Sequence, residues 1–149
     1  MSQADVDRAF LQRAVDLAWR CPPSDTAFSV GALIVDRDGT VLAEGWSRRT
    51  DPHDHAEEAA LAAVADRSRL RGATIYTSLE PCSARASRPI TCTQHILDAG
   101  IPRVVYAWSE PDLFVDCVGA ETLLAAGCEV VQLEDLAEAA REPNRHLLG

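Results

Sequence analysis

One histidine, one glutamate and two cysteines near the middle of the chain are of types that together could bind and use a metal ion. His55 and Glu57 lie at the start of a stretch rich in alanine and leucine, and Cys82 and Cys92 lie in and after the next loop. One imidazole and two thiolates are ligands that suit zinc. Three protein ligands leave the fourth tetrahedral position open to water, which is typical of catalytic zinc. We therefore predict that His55, Cys82 and Cys92 hold a catalytic Zn²⁺.

Glu57 is the residue that we expect to carry protons at this site. Residues two positions apart on a helix point roughly 200° apart, so His55 and Glu57 can serve one site only if it lies beyond the helix end. Helix N-termini favour thiolates and other negative charge. A carboxylate beside zinc can take a proton from water and deliver it to a leaving amino group. The pattern predicts hydrolytic deamination of a ring amine.

These residues also have interpretations that need no metal. Asp54 and Glu57 have the spacing of a helix-capping pair, and a lone cysteine is often a small buried residue. Their joint occurrence at predicted helix starts favours the metal site. His53 is close enough in sequence to be a substitute ligand or a substrate contact.

Hydrophobic spacing predicts the elements that must position the site. We expect a helix over 6–17, strands over 30–36 and 40–46, a helix over 55–69, a strand over 73–78, a helix over 92–99, a strand over 103–108, a helix over 120–126, a strand over 128–133 and a helix over 135–141. Helices that join the last three strands require parallel, right-handed crossovers. The predicted fold class is α/β, a three-layer α/β/α sandwich around a five-stranded mixed sheet. The 149 residues suit a single domain.

The loop over 79–89 is expected at the carboxyl ends of the parallel strands, where ligands collect in such sheets. Thr91 and Gln94 have the spacing of a capping box, which would make Cys92 the first helical residue.

Charge and composition limit the partners. The chain has 14 Lys and Arg against 23 Asp and Glu, a net charge of −9. A surface of this sign repels polyanions, so a small-molecule substrate is favoured over nucleic acid, and an RNA or DNA base deaminase is disfavoured. The sequence has no signal-peptide pattern and no membrane-span pattern, so we expect a cytoplasmic protein without a membrane partner.

The strings HAEEAAL and TSLEPCS resemble the cytidine-deaminase-like superfamily, whose signature is His-x-Glu followed by Pro-Cys and a second cysteine. The long interval SARASRPIT between the two cysteines, and the following QHILDAGIPRVVYA, most resemble the deaminase domain of bacterial riboflavin biosynthesis, here without its reductase domain. Over about residues 30–108 the resemblance implies a cytidine deaminase-like fold and zinc-dependent deamination. It implies the ligands His55, Cys82 and Cys92, the proton-shuttle residue Glu57, and a homodimer.

Two differences from the riboflavin domain bear on the substrate. Ala27-Phe28-Ser29 stands where that domain commonly has Asn-Pro, and Ala84 stands where it has a histidine. The resemblance implies that those residues help to hold a ribosyl phosphate, so we favour a smaller ring: a free nucleobase, a triazine or an aminopyrimidine. One alternative is the riboflavin-pathway diaminopyrimidine ribosyl phosphate, which Arg85 and Arg88 could bind through its phosphate. An alternative from another class is a non-catalytic, zinc-stabilised binding module.

The substrate ring should pack against apolar or aromatic side chains, while a few polar groups fix its edge. The candidate substrate-binding residues are Phe28, Trp46, Ala56, Ser78, Glu80, Arg85, Arg88 and Trp108. The aromatic members could instead belong to the core.

Overall fold

A mixed β-sheet forms the centre of the fold in the computed structural model, which describes residues 2–82, 90–109 and 118–148. Within these residues the strands are β1 (Gly31–Val35), β2 (Val41–Trp46), β3 (Thr74–Leu79), β4 (Arg103–Trp108) and β5 (Glu129–Gln132), in the order β2-β1-β3-β4-β5. β1 is antiparallel to both β2 and β3, whereas β3, β4 and β5 are parallel. The predicted five-stranded mixed sheet and its parallel half are confirmed.

Helices cover both faces of the sheet. They are α1 (Gln3–Leu17), α2 (Ala56–Ala62), α3 (Cys92–Ala99), α4 (Gly119–Ala125) and α5 (Ala137–Arg141). A Cβ at Gly31 would meet the α1 backbone, and one at Gly45 would lie 2.4 Å from the carbonyl oxygen of Ala56 in α2. Gly31 pairs with Trp46, the neighbour of Gly45, so these glycines face opposite sides of the sheet. The two helices therefore pack on opposite faces, and the absence of a side chain at Gly45 allows the start of α2 to approach β2 closely.

The second helix is shorter than predicted. The expected helix over 55–69 is wrong, because α2 ends at Ala62 and a 3₁₀ turn covers Arg67–Gly72. The Asp66 carboxylate accepts a hydrogen bond from the backbone N–H of Ser68, 3.1 Å away. Such a local side-chain acceptor offers the backbone an alternative to a continuous helix. No helix in the described part of the chain has both the length and the apolar character of a membrane span.

A buried ion pair fastens α1 to the sheet at the end remote from the carboxyl ends of the parallel strands. Asp7 in α1 is 2% exposed and accepts two hydrogen bonds from Arg103, at the start of β4, over 2.7 and 2.6 Å. It also accepts a hydrogen bond from the Tyr76 hydroxyl over 2.8 Å. Because Arg103 and Tyr76 belong to two neighbouring strands, β4 and β3, their bonds to Asp7 fix the position of α1 on the sheet.

Candidate active site

The three predicted metal ligands converge. The donor atoms of His55, Cys82 and Cys92 all lie within 4.8 Å of one another. Among the described residues, no other set of three or more His, Cys, Asp or Glu side chains converges in this way. The Nδ1 atom of His55 is 3.2 Å from the sulfur of Cys92 and 3.6 Å from that of Cys82. Tetrahedral zinc with Zn–N and Zn–S bonds of about 2.1 and 2.3 Å keeps such ligand atoms roughly 3.5 Å apart. The residues present thus fit a zinc ion.

Two helix starts place these ligands. His55 precedes the first residue of α2 with an extended backbone, and its N–H donates to the Glu58 carboxylate over 3.0 Å. Glu58 rather than Glu57 is therefore the capping acid, so the alternative of an Asp54–Glu57 capping pair is wrong.

Cys92 is the first residue of α3, as predicted. Only half of the predicted capping box is present: the Thr91 hydroxyl accepts from the N–H of Gln94 over 3.2 Å, but the Gln94 side chain donates to Asp98. The adjacent Asp98 carboxylate, one turn along the helix, is a competing acceptor for that amide.

The surroundings of Cys82 favour its thiolate form. Hydrogen bonding with Cys92 and the proximity of His55 lower the pKa of Cys82 to about 4, against the opposing effect of burial. A thiol must be deprotonated to bind metal, so a lowered pKa favours metal binding by Cys82.

Glu57 is buried beside the ligands, with 4% of its surface exposed. Burial raises the pKa of Glu57 to about 7. Of the smaller electrostatic effects, His55 lowers this pKa and Cys82 raises it. The electrostatic coupling to both residues places the carboxyl group in the same cluster. A carboxyl with a pKa near 7 can accept and release a proton near neutral pH, which is the property of a general acid and base.

Two of the predicted substrate-binding aromatics form a pair. The rings of Phe28 and Trp108 are both buried and meet edge to face with centroids 5.3 Å apart. Trp108 ends β4, and its carbonyl oxygen accepts from the N–H of Glu80 over 2.8 Å. This aromatic pair therefore lies at the carboxyl end of the parallel strands. Glu80, to which Trp108 is bonded, is two residues before Cys82 in sequence. Its contact with substrate stays a prediction.

The other candidates occupy varied environments. Ala56 is the buried first residue of α2, and the Ser78 hydroxyl accepts from the N–H of Gly31 over 3.1 Å. One Glu80 oxygen accepts from the N–H of Ala120 over 2.8 Å and so caps α4. The half-buried Trp46 ring lies 4.4 Å from the Arg49 guanidinium.

These contacts give Ser78 and Glu80 structural roles. A substrate contact at Ser78, Glu80, Ala56 or Trp46 stays a prediction. Arg85 and Arg88 lie outside the described residues.

Sequence reasoning missed two residues that organise the site. Glu58 joins the two ligand-bearing helices, because its other carboxylate oxygen lies 3.3 Å from Nε2 of His95 on α3. Its position three residues after His55 is the signal that could have identified it as a cap. Arg48 has a left-handed backbone, φ 60°, and its N–H donates to the carbonyl of Asp54 over 2.8 Å. Its remaining partners are distant in sequence, so no local pattern indicates its role.

Comparison with known proteins gives a consistent family assignment. A family model described as the cytidine and deoxycytidylate deaminase zinc-binding region matches residues 4–108. A diaminohydroxyphosphoribosylamino-pyrimidine deaminase of Schizosaccharomyces pombe is 37% identical over 92% of this chain and 36% of its own length. A cytosine deaminase of Candida albicans is 35% identical over 87% of this chain and 81% of its own length.

A solved structure of RibD from Acinetobacter baumannii superposes with a TM-score of 0.85 and 30% identity over 99% of this chain and 40% of that protein. The chain thus spans little more than a third of the length of the riboflavin-pathway relatives that it matches. The predicted fold class and the resemblance to zinc-dependent deaminases are confirmed.

Proposed function

Since the chain belongs to the zinc-binding cytidine and deoxycytidylate deaminase family, we propose that it removes an exocyclic amino group from an aminopyrimidine ring by hydrolysis. Water is consumed, ammonia is released and a ring carbonyl remains. The observation that carries this proposal is the convergence of His55, Cys82 and Cys92 around one point with the buried Glu57 beside them.

His55, Cys82 and Cys92 would hold the zinc ion. Zinc bound in this way supplies Lewis-acid activation of water near neutral pH. The protein's own contribution is to hold two cysteine sulfurs and one imidazole close together at two helix starts, which sets their separation before metal arrives. The non-catalytic zinc module is less favoured, because a buried carboxyl group with a raised pKa beside metal ligands is typical of functional sites.

Glu57 would move the protons. Its carboxylate takes one proton from the attacking water and delivers it to the ring nitrogen next to the reacting carbon. It then takes the second proton from the hydroxyl group now on that carbon and delivers it to the amino group, so that the carbon–nitrogen bond breaks, ammonia leaves and the ring carbonyl forms. Each step requires a group that exchanges protons near neutral pH, which agrees with the pKa of about 7.

Similarity to the riboflavin-pathway relatives favours a diaminohydroxy-phosphoribosylaminopyrimidine as the substrate of this chain. This preference rests on the riboflavin-pathway relatives of similar identity and on the likeness to RibD structures. A second candidate is cytosine, because the chain covers most of the length of a cytosine deaminase that is 35% identical to it. Both are small molecules with an amino group on a pyrimidine ring, the class predicted from the sequence.

A homodimer is part of the proposal. Leu124 on α4 is 56% exposed, whereas Leu123 beside it is fully buried. A single exposed leucine is ordinary on a protein surface, so the homodimer rests on the family resemblance. A single domain over residues 1–149 and a cytoplasmic location also stay predictions.

The test of this function is ammonia release by the zinc-loaded protein from a matched set of pyrimidines. The set contains the diaminopyrimidine ribosyl phosphate, its dephosphorylated form, cytosine and cytidine. Fastest turnover of the ribosyl phosphate would support the first candidate, and fastest turnover of cytosine the second. Zinc bound at one ion per chain without turnover of any aminopyrimidine would contradict the proposal.

A further inference from the structure

A buried asparagine outside the segment that matches the family model holds the loop in front of β1. Asn144 lies in the 3₁₀ segment Glu142–Leu147 and is 1% exposed. Its Oδ1 accepts from the N–H of Ser29 over 2.5 Å, and its Nδ2 donates to the carbonyl of Ser29 over 2.9 Å. Both main-chain polar groups of Ser29 are thus bonded by one side-chain amide, as a neighbouring strand would bond them.

The same loop is held from its other side by Arg48. The guanidinium of Arg48 donates to the carbonyl of Phe28 over 3.1 Å and to the hydroxyl of Ser29 over 2.7 Å. The imidazole of His146, two residues beyond Asn144, donates to the carbonyl of Ser24 over 2.7 Å. Three side chains from two separate parts of the chain therefore fix the backbone over residues 24–29.

This loop carries Phe28, one member of the aromatic pair. Phe28 precedes Ser29 directly, and its ring contacts Trp108. The loop then enters β1, where Gly31 hydrogen-bonds to Ser78 near the carboxyl end of β3. Phe28 therefore lies near the edge of the sheet at which β3 leads into Cys82. Asn144 restrains the backbone that holds Phe28 there.

We infer that Asn144 is a positioning residue for substrate binding: through the peptide groups of Ser29 it holds Phe28 in the wall that packs against the pyrimidine ring. This inference rests on the proposed function for the role of the wall. Asn144 touches neither the predicted metal ligands nor Glu57 in any described contact, so its loss should weaken substrate binding more than the chemical step.

The experiment compares Asn144→Ala with Tyr76→Phe in the zinc-loaded protein. Tyr76→Phe is the matched control, because it removes one buried hydrogen bond, to Asp7, at the opposite end of the sheet. Hydrogen exchange over residues 22–30 and the separate values of kcat and KM are measured for the aminopyrimidine that the wild type turns over.

For Asn144→Ala we expect faster exchange over 22–30 and a KM raised by about tenfold, the effect of losing a buried hydrogen bond, with kcat within about twofold. Tyr76→Phe should change neither. If Asn144→Ala is too unstable to purify, Asn144→Ser replaces it, with the same expected rise in KM and the same small change in kcat.

Unchanged exchange over 22–30, or a KM that moves equally in both variants, would overturn the inference. A wild type that deaminates no aminopyrimidine would overturn the proposed function instead, a result seen before any variant is made. The exchange comparison would then still decide whether Asn144 restrains the loop.

Discussion

The backbone N–H of Cys92 donates a hydrogen bond to the sulfur of Cys82 over 3.2 Å. The next N–H, of Thr93, donates to the carbonyl of Cys82 over 3.1 Å. The first N–H groups of a helix have no partner within the helix. Here they hold Cys82, ten positions before Cys92. The start of α3 therefore supplies one of the two cysteines and orients the other.

Replacing either cysteine should remove the metal. In Cys82→Ser a hydroxyl takes the place of a thiolate, and a neutral hydroxyl is a poor zinc ligand. We expect bound zinc, measured by atomic absorption after gel filtration, to fall from one ion per chain to less than about a tenth of that.

Cys21→Ser is the control for this loss. The Cys21 sulfur lies 3.4 Å from the carbonyl of Val30, a contact that serine can reproduce, and it is not part of the ligand group. Its zinc content should equal that of the wild type. Full zinc occupancy in Cys82→Ser would contradict the ligand assignment.

Glu58 should act on metal affinity without touching the metal. Its carboxylate accepts from the His55 N–H and pairs with His95, so Glu58→Ala removes the link between the two ligand-bearing helices. Residues that orient metal ligands typically contribute 10–100-fold to affinity, and we expect zinc affinity to fall by about that factor. Competition with a chromophoric chelator measures it. Glu138→Ala changes an exposed acid on α5 and should leave the affinity as it is; equal affinities in the two variants would rule out this role for Glu58.

The convergence of His55, Cys82 and Cys92 with Glu57 was predictable because each residue lies at a local pattern, a helix start or a strand–helix loop. The mixed sheet was predictable for a similar reason, since helices between successive strands dictate parallel pairing. The end of α2 was not, because the Asp66 turn competes with a segment whose composition favours helix. Arg48 and Asn144 act on backbone groups about 20 and 115 residues away, and sequence spacing carries no information on such contacts.

Acid should weaken the fold through Asp7. Burial raises the pKa of this carboxyl group, but hydrogen bonds from Arg103, Tyr76 and Gln3 outweigh burial and lower it below the usual value. A depressed pKa in the folded state means that the folded protein binds fewer protons. The stabilisation is therefore complete above roughly pH 5 and is lost as the pH falls through the folded pKa.

Urea unfolding at pH 7 and pH 3.5 measures this effect. Asp7→Asn should reduce the free energy of unfolding at pH 7 by about 3 kcal/mol, because Arg103 loses its buried partner. The variant should also lose less stability between the two pH values than the wild type does. Asp25→Asn changes an exposed acid outside this group and should preserve the wild-type pH dependence. The same pH dependence in Asp7→Asn as in the wild type would refute the assignment.

The central claim is that Glu57 moves protons at a zinc site built by His55, Cys82 and Cys92. Its most direct test is the rate of ammonia release by Glu57→Gln, measured together with zinc content on the substrate that the wild type turns over. We predict one zinc per chain in both proteins and a kcat lower by about 10²–10⁴-fold in the variant, the range for loss of a general acid and base. A zinc-loaded Glu57→Gln protein with wild-type kcat would contradict the claim.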